Sequence, residues 1–118
     1  MNLSELALKI NARLFPPAGE FCTEVTGINA ADTMSSLIAN ASHDTLIVTS
    51  LNNSQLIRIA ELMDVPGLCL VGGVQPSPDL IARARETGAA IMVSPYSLEE
   101  TRRQLVACLS VGAEKRLA

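Results

Sequence analysis

The chain has 118 residues, 48% of them hydrophobic and 18% charged, with a formal net charge of −3. That length suits one domain with a core that needs no metal or disulfide support, and the hydrophobic share excludes disorder. The acidic balance and scattered cations, adjacent only at Arg102–Arg103 and Lys115–Arg116, exclude a nucleic-acid footprint, and no apolar run is long enough to span a bilayer.

Met1–Arg13 carries polar residues at helical spacing where a signal peptide would be unbroken and apolar, so no leader is expected. Leu3, Leu6, Ala7, Ile10 and Leu14 share one face of a helix predicted over 3–14, with Asn2 or Ser4 as its cap. Phe15-Pro16-Pro17-Ala18-Gly19 ends it, because two prolines cannot donate helical hydrogen bonds. The chain thus divides into an N-terminal helix and proline linker (1–17) and an α/β domain (18–118). Phe21–Val25 reads as a first strand with Thr26-Gly27 as its turn. Asp32 reads as the cap of a short helix burying Leu37, Ile38 and Ala41.

Three strand-loop-helix units follow. Thr45–Val48, Leu68–Val71 and Ala89–Val93 are apolar runs, and Val48, Val71 and Val93 lie about 22 residues apart, the length of a βα unit. Asn53 is the predicted cap of a helix lined by Leu56, Ile59, Ala60 and Met63, which stops at Asp64-Val65-Pro66-Gly67. Ser77-Pro78 starts the next, with Leu80, Ile81 and Ala84 inward and Gly88 at its end. Ser97-Leu98-Glu99-Glu100 is a capping box, followed by Leu105, Cys108 and Leu109 on a buried face; the tail from Gly112 is expected to fray. Continuous apolar strands alternating with helices predict a mostly parallel sheet of about four to five strands in a three-layer α/β/α sandwich.

Cys22, Cys69 and Cys108 are odd in number and lack CxxC spacing, so buried free thiols and a reducing, cytoplasmic setting are expected. No residue pattern names a metal or a cofactor. Gly72-Gly73-Val74-Gln75-Pro76 lacks the lysine and second glycine of a phosphate-binding P-loop, and only Thr26-Gly27 stands where a dinucleotide fingerprint needs three glycines. The strand ends hold no carboxylate for phosphotransfer. His43, the one histidine, precedes a strand and has no nucleophile at its end of the sheet, so no hydrolase triad assembles.

What remains is a polar rim at the strand carboxyl ends: Thr49, Ser50, Asn52 and Asn53; Gly72, Gly73 and Gln75; Ser94 and Tyr96. These residues suit caps and tight turns, which every βα unit needs. They equally suit a ligand pocket, since glycines let backbone amides approach a ligand and helix amino termini favour an anion.

Asp44-Thr-Leu-Ile-Val-Thr-Ser, Asn53-Ser-Gln-Leu-Ile-Arg-Ile-Ala, Leu68-Cys-Leu-Val-Gly-Gly-Val-Gln-Pro and Ala90-Ile-Met-Val-Ser-Pro-Tyr-Ser resemble the DRTGG domain family over roughly residues 20–110. That domain is similar to the N-terminal domain of HPr kinase/phosphorylase. The literal Asp-Arg-Thr-Gly-Gly string is absent, and only Gly72-Gly73 is reminiscent of it, so no family ligand residue carries over. The resemblance implies a non-catalytic regulatory or assembly module that commonly dimerises. Members occur fused to enzymes, the HPr kinase catalytic domain among them, and stand-alone members occur near iron-hydrogenase genes. With the catalytic inventory empty, the leading expectation is a homodimer that binds a protein partner, with an adenine nucleotide or phosphometabolite as a further ligand at the strand ends. Two alternatives stand beside it. One is a small enzyme with a metal- or cofactor-dependent site at Thr49, Asn52, Gly73, Ser94 and Tyr96. The other is a purely structural scaffold whose Leu3–Leu14 face forms a helical interface.

Overall fold

A computed structural model describes residues 2–15 and 24–117, with side-chain detail through residue 109. Among these residues the elements run α1 (Leu3–Lys9), β1 (Arg13–Phe15), β2 (Gly27–Ala30), α2 (Met34–Asn40), β3 (Thr45–Thr49), α3 (Gln55–Met63), β4 (Leu68–Leu70), α4 (Pro78–Thr87), β5 (Ile91–Val93) and α5 (Leu98–Leu117). The strands form one sheet in the order β1-β5-β4-β3-β2. β2 to β5 are parallel, and β1 joins β5 antiparallel, with Leu14 opposite Met92.

The parallel strands are laid down in consecutive order. Right-handed crossovers between neighbours then place every intervening helix on the same face. The packing agrees. Ile47, Leu68, Leu70, Ile91 and Val93 meet Leu37 of α2, Leu56 and Ile57 of α3 and Leu80 of α4 on one face. Leu46, Val48, Cys69 and Met92 point the other way, against Leu3, Leu6 and Ala7 of α1, Ile10 just beyond it and Leu105 of α5. Alternate side chains along one strand thus feed two cores, which is why the strands read as unbroken apolar runs. The result is the three-layer α/β/α sandwich expected from the sequence.

The N-terminal segment departs from the sequence pattern. The helix ends at Lys9, Asn11 takes a left-handed conformation (φ 58°), and the chain reverses into β1. Leu14, expected on the helix face, is a strand residue that still packs into the α1–α5 core. Helical and strand spacing both put it on an apolar face, so periodicity alone does not separate them. The face from Leu3 to Ile10 is spent inside the chain, which corrects its reading as an intermolecular interface.

The first parallel strand is Gly27–Ala30, displaced from the expected Phe21–Val25. Residues 21–23 of that expectation lie outside the described residues, while Glu24 makes only an isolated bridge to Asn2. The four-residue β2 carries one fully inward side chain, Asn29, whose amide donates to the Leu37 carbonyl at 2.9 Å. A buried polar residue in a short strand hides the apolar signal.

Caps account for most helix starts. Asn2 and Glu5 form a reciprocal capping box on α1, and the Ser77 hydroxyl accepts the Leu80 amide ahead of Pro78 on α4. Gly88 closes α4 at φ 74°. Thr33 caps α2, not Asp32, whose carboxylate is taken by Ser50. The predicted box on α5 is half formed. Ser97 accepts the Glu100 amide, but the Glu100 carboxylate turns to Arg103 and Gln104. α5 continues past Gly112 to Leu117, beyond the point of expected fraying.

Helix-face expectations hold near the sheet and fail at the ends. Met63 is 38% and Ile38 53% exposed, Ile81, Cys108 and Leu109 are half-buried, and Ile57 is buried although it was not placed on the α3 face. Cys69 is buried, and burial pushes its thiol up to about 12, which leaves it inert as a nucleophile. Cys108 is only half-buried, and Cys22 lies outside the described residues.

Glu100 gives a direct pH expectation. Hydrogen bonds from Arg103 and then Gln104 hold its carboxyl at about 2, below the usual 4.5. A carboxyl depressed by folding stabilises the folded state above its unfolded pKa, and that contribution fades as pH falls from about 4.5 toward 2. NMR titration of the Glu100 side chain should place its midpoint near 2, and Arg103→Ala should move it upward. An unshifted midpoint in the variant would show that Arg103 does not hold the carboxylate in solution.

Candidate functional site

Of the nine rim residues, Thr49 ends β3 and the other eight lie in the three loops that follow β3, β4 and β5, at the carboxyl ends of the parallel strands. The loops after β3 and β4 lead to α3 and α4 on one face of the sheet, and the loop after β5 leads to α5 on the other. Hydrogen bonds tie the three loops to one another. The ladders continue beyond the strands, with Ala31 donating to Val48, Val71 to Thr49 and Ser94 to Leu70.

Residue by residue, the rim is a web. Thr49 is fully buried, and its hydroxyl accepts the Leu51 amide at 3.1 Å. Ser50 is exposed and donates to the Asp32 carboxylate at 2.5 Å, tying the loop after β3 to the loop after β2. Asn52 spans to the next loop through both ends of its amide. Its nitrogen donates to the Gln75 carbonyl at 2.9 Å, and its oxygen accepts the Ser77 amide at 2.8 Å. Asn53 accepts the Gln55 amide and so supplies the α3 cap that Ser54 does not. The Gln75 side chain is exposed; its contribution to the web is its carbonyl.

Gly72 and Gly73 are exposed at φ 78° and 65°, a conformation that side chains resist. Their amides are already engaged: Gly72 donates to the Tyr96 carbonyl at 2.7 Å and Gly73 to the Ser94 carbonyl at 2.8 Å. The glycines therefore stitch the loop after β4 to the loop after β5. Ser94 is fully buried, 2.8 Å from the Thr101 hydroxyl, and accepts the Tyr96 amide at 3.2 Å. Tyr96 is half-buried, beside exposed Pro95.

Every rim residue is thus brought to one end of the sheet. Thr49 and Ser94 face inward as structural hydroxyls, whereas Ser50, Gln75 and the two glycines face outward. Asp32, Ser77 and Thr101 belong to the same web and were not placed there from the sequence. Asp32 and Ser77 had been read as helix caps, and Thr101 looks like any polar position on an amphipathic helix. Nothing in local spacing links Asp32 to Ser50, which lie 18 residues apart.

The amino ends of the strands are different. A cavity of about 570 Å³ opens there between the ends of α3 and α4, lined by His43, Glu61, Asp64, Val65 and Thr87 among others. His43 is exposed at this end, remote from the rim, as expected. Beside it, Asp44 accepts hydrogen bonds from the Thr26 and Ser42 hydroxyls, which hold its carboxyl below the usual range. No group of three or more metal-ligating side chains is found among the described residues. No helix among them is long and apolar enough to cross a membrane.

No protein-family model matches the sequence, and no curated protein matches it significantly. Among solved structures, the fold is similar to the CBS and DRTGG domains of the regulatory region of Clostridium perfringens pyrophosphatase, a structure complexed with its activator, diadenosine tetraphosphate. The TM-score is 0.64 at 16% identity, over 88% of this chain and 45% of that one, so this chain spans less than half of the matched structure. At that identity the likeness is one of fold, to a region that includes a DRTGG domain, the family that the sequence resembles.

Proposed function

We propose that this chain is a non-catalytic regulatory or assembly domain, working as a homodimer, whose rim senses an adenine nucleotide or another phosphate-bearing metabolite and reports it to a protein partner. The observation that carries the reading is the web of Ser50–Asp32, Asn52–Gln75/Ser77 and Gly72/Gly73–Tyr96/Ser94 bonds. It couples four loops, so a ligand touching one loop displaces the others. Its hydroxyls are spent on structure, with Thr49 and Ser94 buried and bonded, and this weighs against the enzyme alternative. The amino termini of α3, α4 and α5 all open on this rim, which favours an anion there. The similar pyrophosphatase region was solved with an adenine dinucleotide activator, which gives the first ligand to try.

The test is a thermal melt of the pure protein against adenine mono-, di- and triphosphates and diadenosine tetraphosphate. A ligand at about 100 times its Kd stabilises by about 2.7 kcal/mol, a shift well outside error. Asn52→Ala removes both bonds between the loops after β3 and β4, and should lower stability by about 1–2 kcal/mol and abolish the shift. Saturable shifts identical in wild type and Asn52→Ala would remove the rim from consideration. No shift with any nucleotide would leave an assembly domain without a nucleotide ligand.

A further inference from the structure

The sheet ends at β1, which pairs with β5 on one side and with no described strand on the other. An edge strand of this kind is a template for another strand. A groove of about 410 Å³ runs beside it, lined by Ala7, Leu8, Ala12, Leu14 and Phe15 among others. Leu8 stands over this groove 81% exposed, the most exposed large apolar side chain among the described residues. The other face of α1 is used in the core.

The charges around this patch are self-complementary. On α1, Glu5 lies in the first turn and Lys9 in the last, both exposed, with Leu8 between them. A two-fold axis reverses the helix direction and brings each Glu5 toward the partner copy's Lys9. On β1, Arg13 lies 5.7 Å from the centre of its own Phe15 ring, flanking Leu14. Full antiparallel overlap of two such three-residue strands centres on Leu14. It places Arg13 opposite Phe15 of the other copy, where the same cation–π attraction operates.

We infer that α1 and β1 form the homodimer contact: two copies pair their β1 edges antiparallel about Leu14 and join their sheets, with Leu8 of each copy packed over the joint. The inference rests on the homodimer part of the preceding reading and adds its surface. The contact is isologous and closes on itself, so it yields a dimer and no fibre.

Sedimentation equilibrium of the full chain tests it. Wild type should be dimeric, and Leu8→Glu should raise the dimer dissociation constant by at least about tenfold, as a charge placed at an interface centre does. The melting cooperativity of the monomer should persist, because Leu8 is solvent-exposed. Leu62→Glu, at a position 78% exposed on α3, should leave the dimer intact. Lys9→Glu, which sets a like charge against the partner copy's Glu5, should weaken the dimer, and most at low salt. A wild-type dimer indifferent to Leu8→Glu would overturn this surface and move the homodimer contact elsewhere. A wild type that stays monomeric at every concentration would overturn both the surface and the homodimer reading. Equal dissociation by Leu62→Glu would show an unspecific charge effect and overturn the surface.

Discussion

Removal of residues 1–15 is expected to abolish cooperative folding. Leu3 and Leu6 are fully buried and Ile10 is 1% exposed, all against the face of the sheet made by Leu46, Val48 and Met92. Leu3 packs so close to Gly67 that a Cβ there would lie 2.9 Å from Leu3 Cδ2. Burying a Leu or Ile side chain contributes about 1.5–3 kcal/mol, so these three supply roughly 5–9 kcal/mol. That is of the order of a domain's whole stability, about 5–15 kcal/mol. The deletion also strips β1 from β5 and leaves an apolar sheet face in water. Loss of the sigmoidal melt in circular dichroism, with gain of dye binding to apolar surface, is the expected result. The milder Leu6→Ala should cost about 2–5 kcal/mol and remain measurable by denaturant titration. A truncated chain that melts cooperatively at nearly the wild-type temperature would mean that α1 is a detachable element, as the scaffold alternative requires.

Thr101→Val is expected to cost about 1–3 kcal/mol although it changes the side-chain volume little. Thr101 and Ser94 are both fully buried, and their hydroxyls meet at 2.8 Å. The Thr101 hydroxyl also reaches the Tyr96 carbonyl, the same oxygen that accepts the Gly72 amide. Valine takes away the Thr101 oxygen that meets the fully buried Ser94 hydroxyl, and it loosens the anchor of the loop after β5. Hydrogen exchange at the Gly72 and Gly73 amides should accelerate with the loss of stability. Adding Ser94→Ala removes the stranded hydroxyl but also the acceptor of the Tyr96 amide. The double variant should therefore cost less than the sum of the two single changes, a non-additivity that a mutant cycle measures. Strictly additive costs in the cycle, with unaltered glycine exchange, would show that the pair does not anchor the rim.

Much of the candidate site was legible because its residues are the turn chemistry of βα units. Gly72 and Gly73 do adopt positive φ, and Asn53 and Ser77 do satisfy helix-start amides. Their bonding across loops was not legible. That Asn52 reaches Ser77, or Ser50 reaches Asp32, depends on which strands are neighbours. No local pattern encodes contacts 25 and 18 residues apart.

The apolar periodicity of Thr45–Val48, Leu68–Val71 and Ala89–Val93 determined a buried parallel sheet with covering helices, because side chains that alternate between two cores must be apolar throughout. Caps at Asn2, Ser77 and Gly88 likewise fixed helix ends, since they act within a few residues of themselves. Tertiary structure alone decided that Arg13–Phe15 becomes an antiparallel edge strand, that Gly27–Ala30 joins β3, and that the Leu3–Ile10 face is internal. It also decided that the rim glycines donate to neighbouring loops. Each of these depends on strand pairing at long sequence separation, where a short segment takes whichever hydrogen-bonding edge and apolar face the rest of the fold presents.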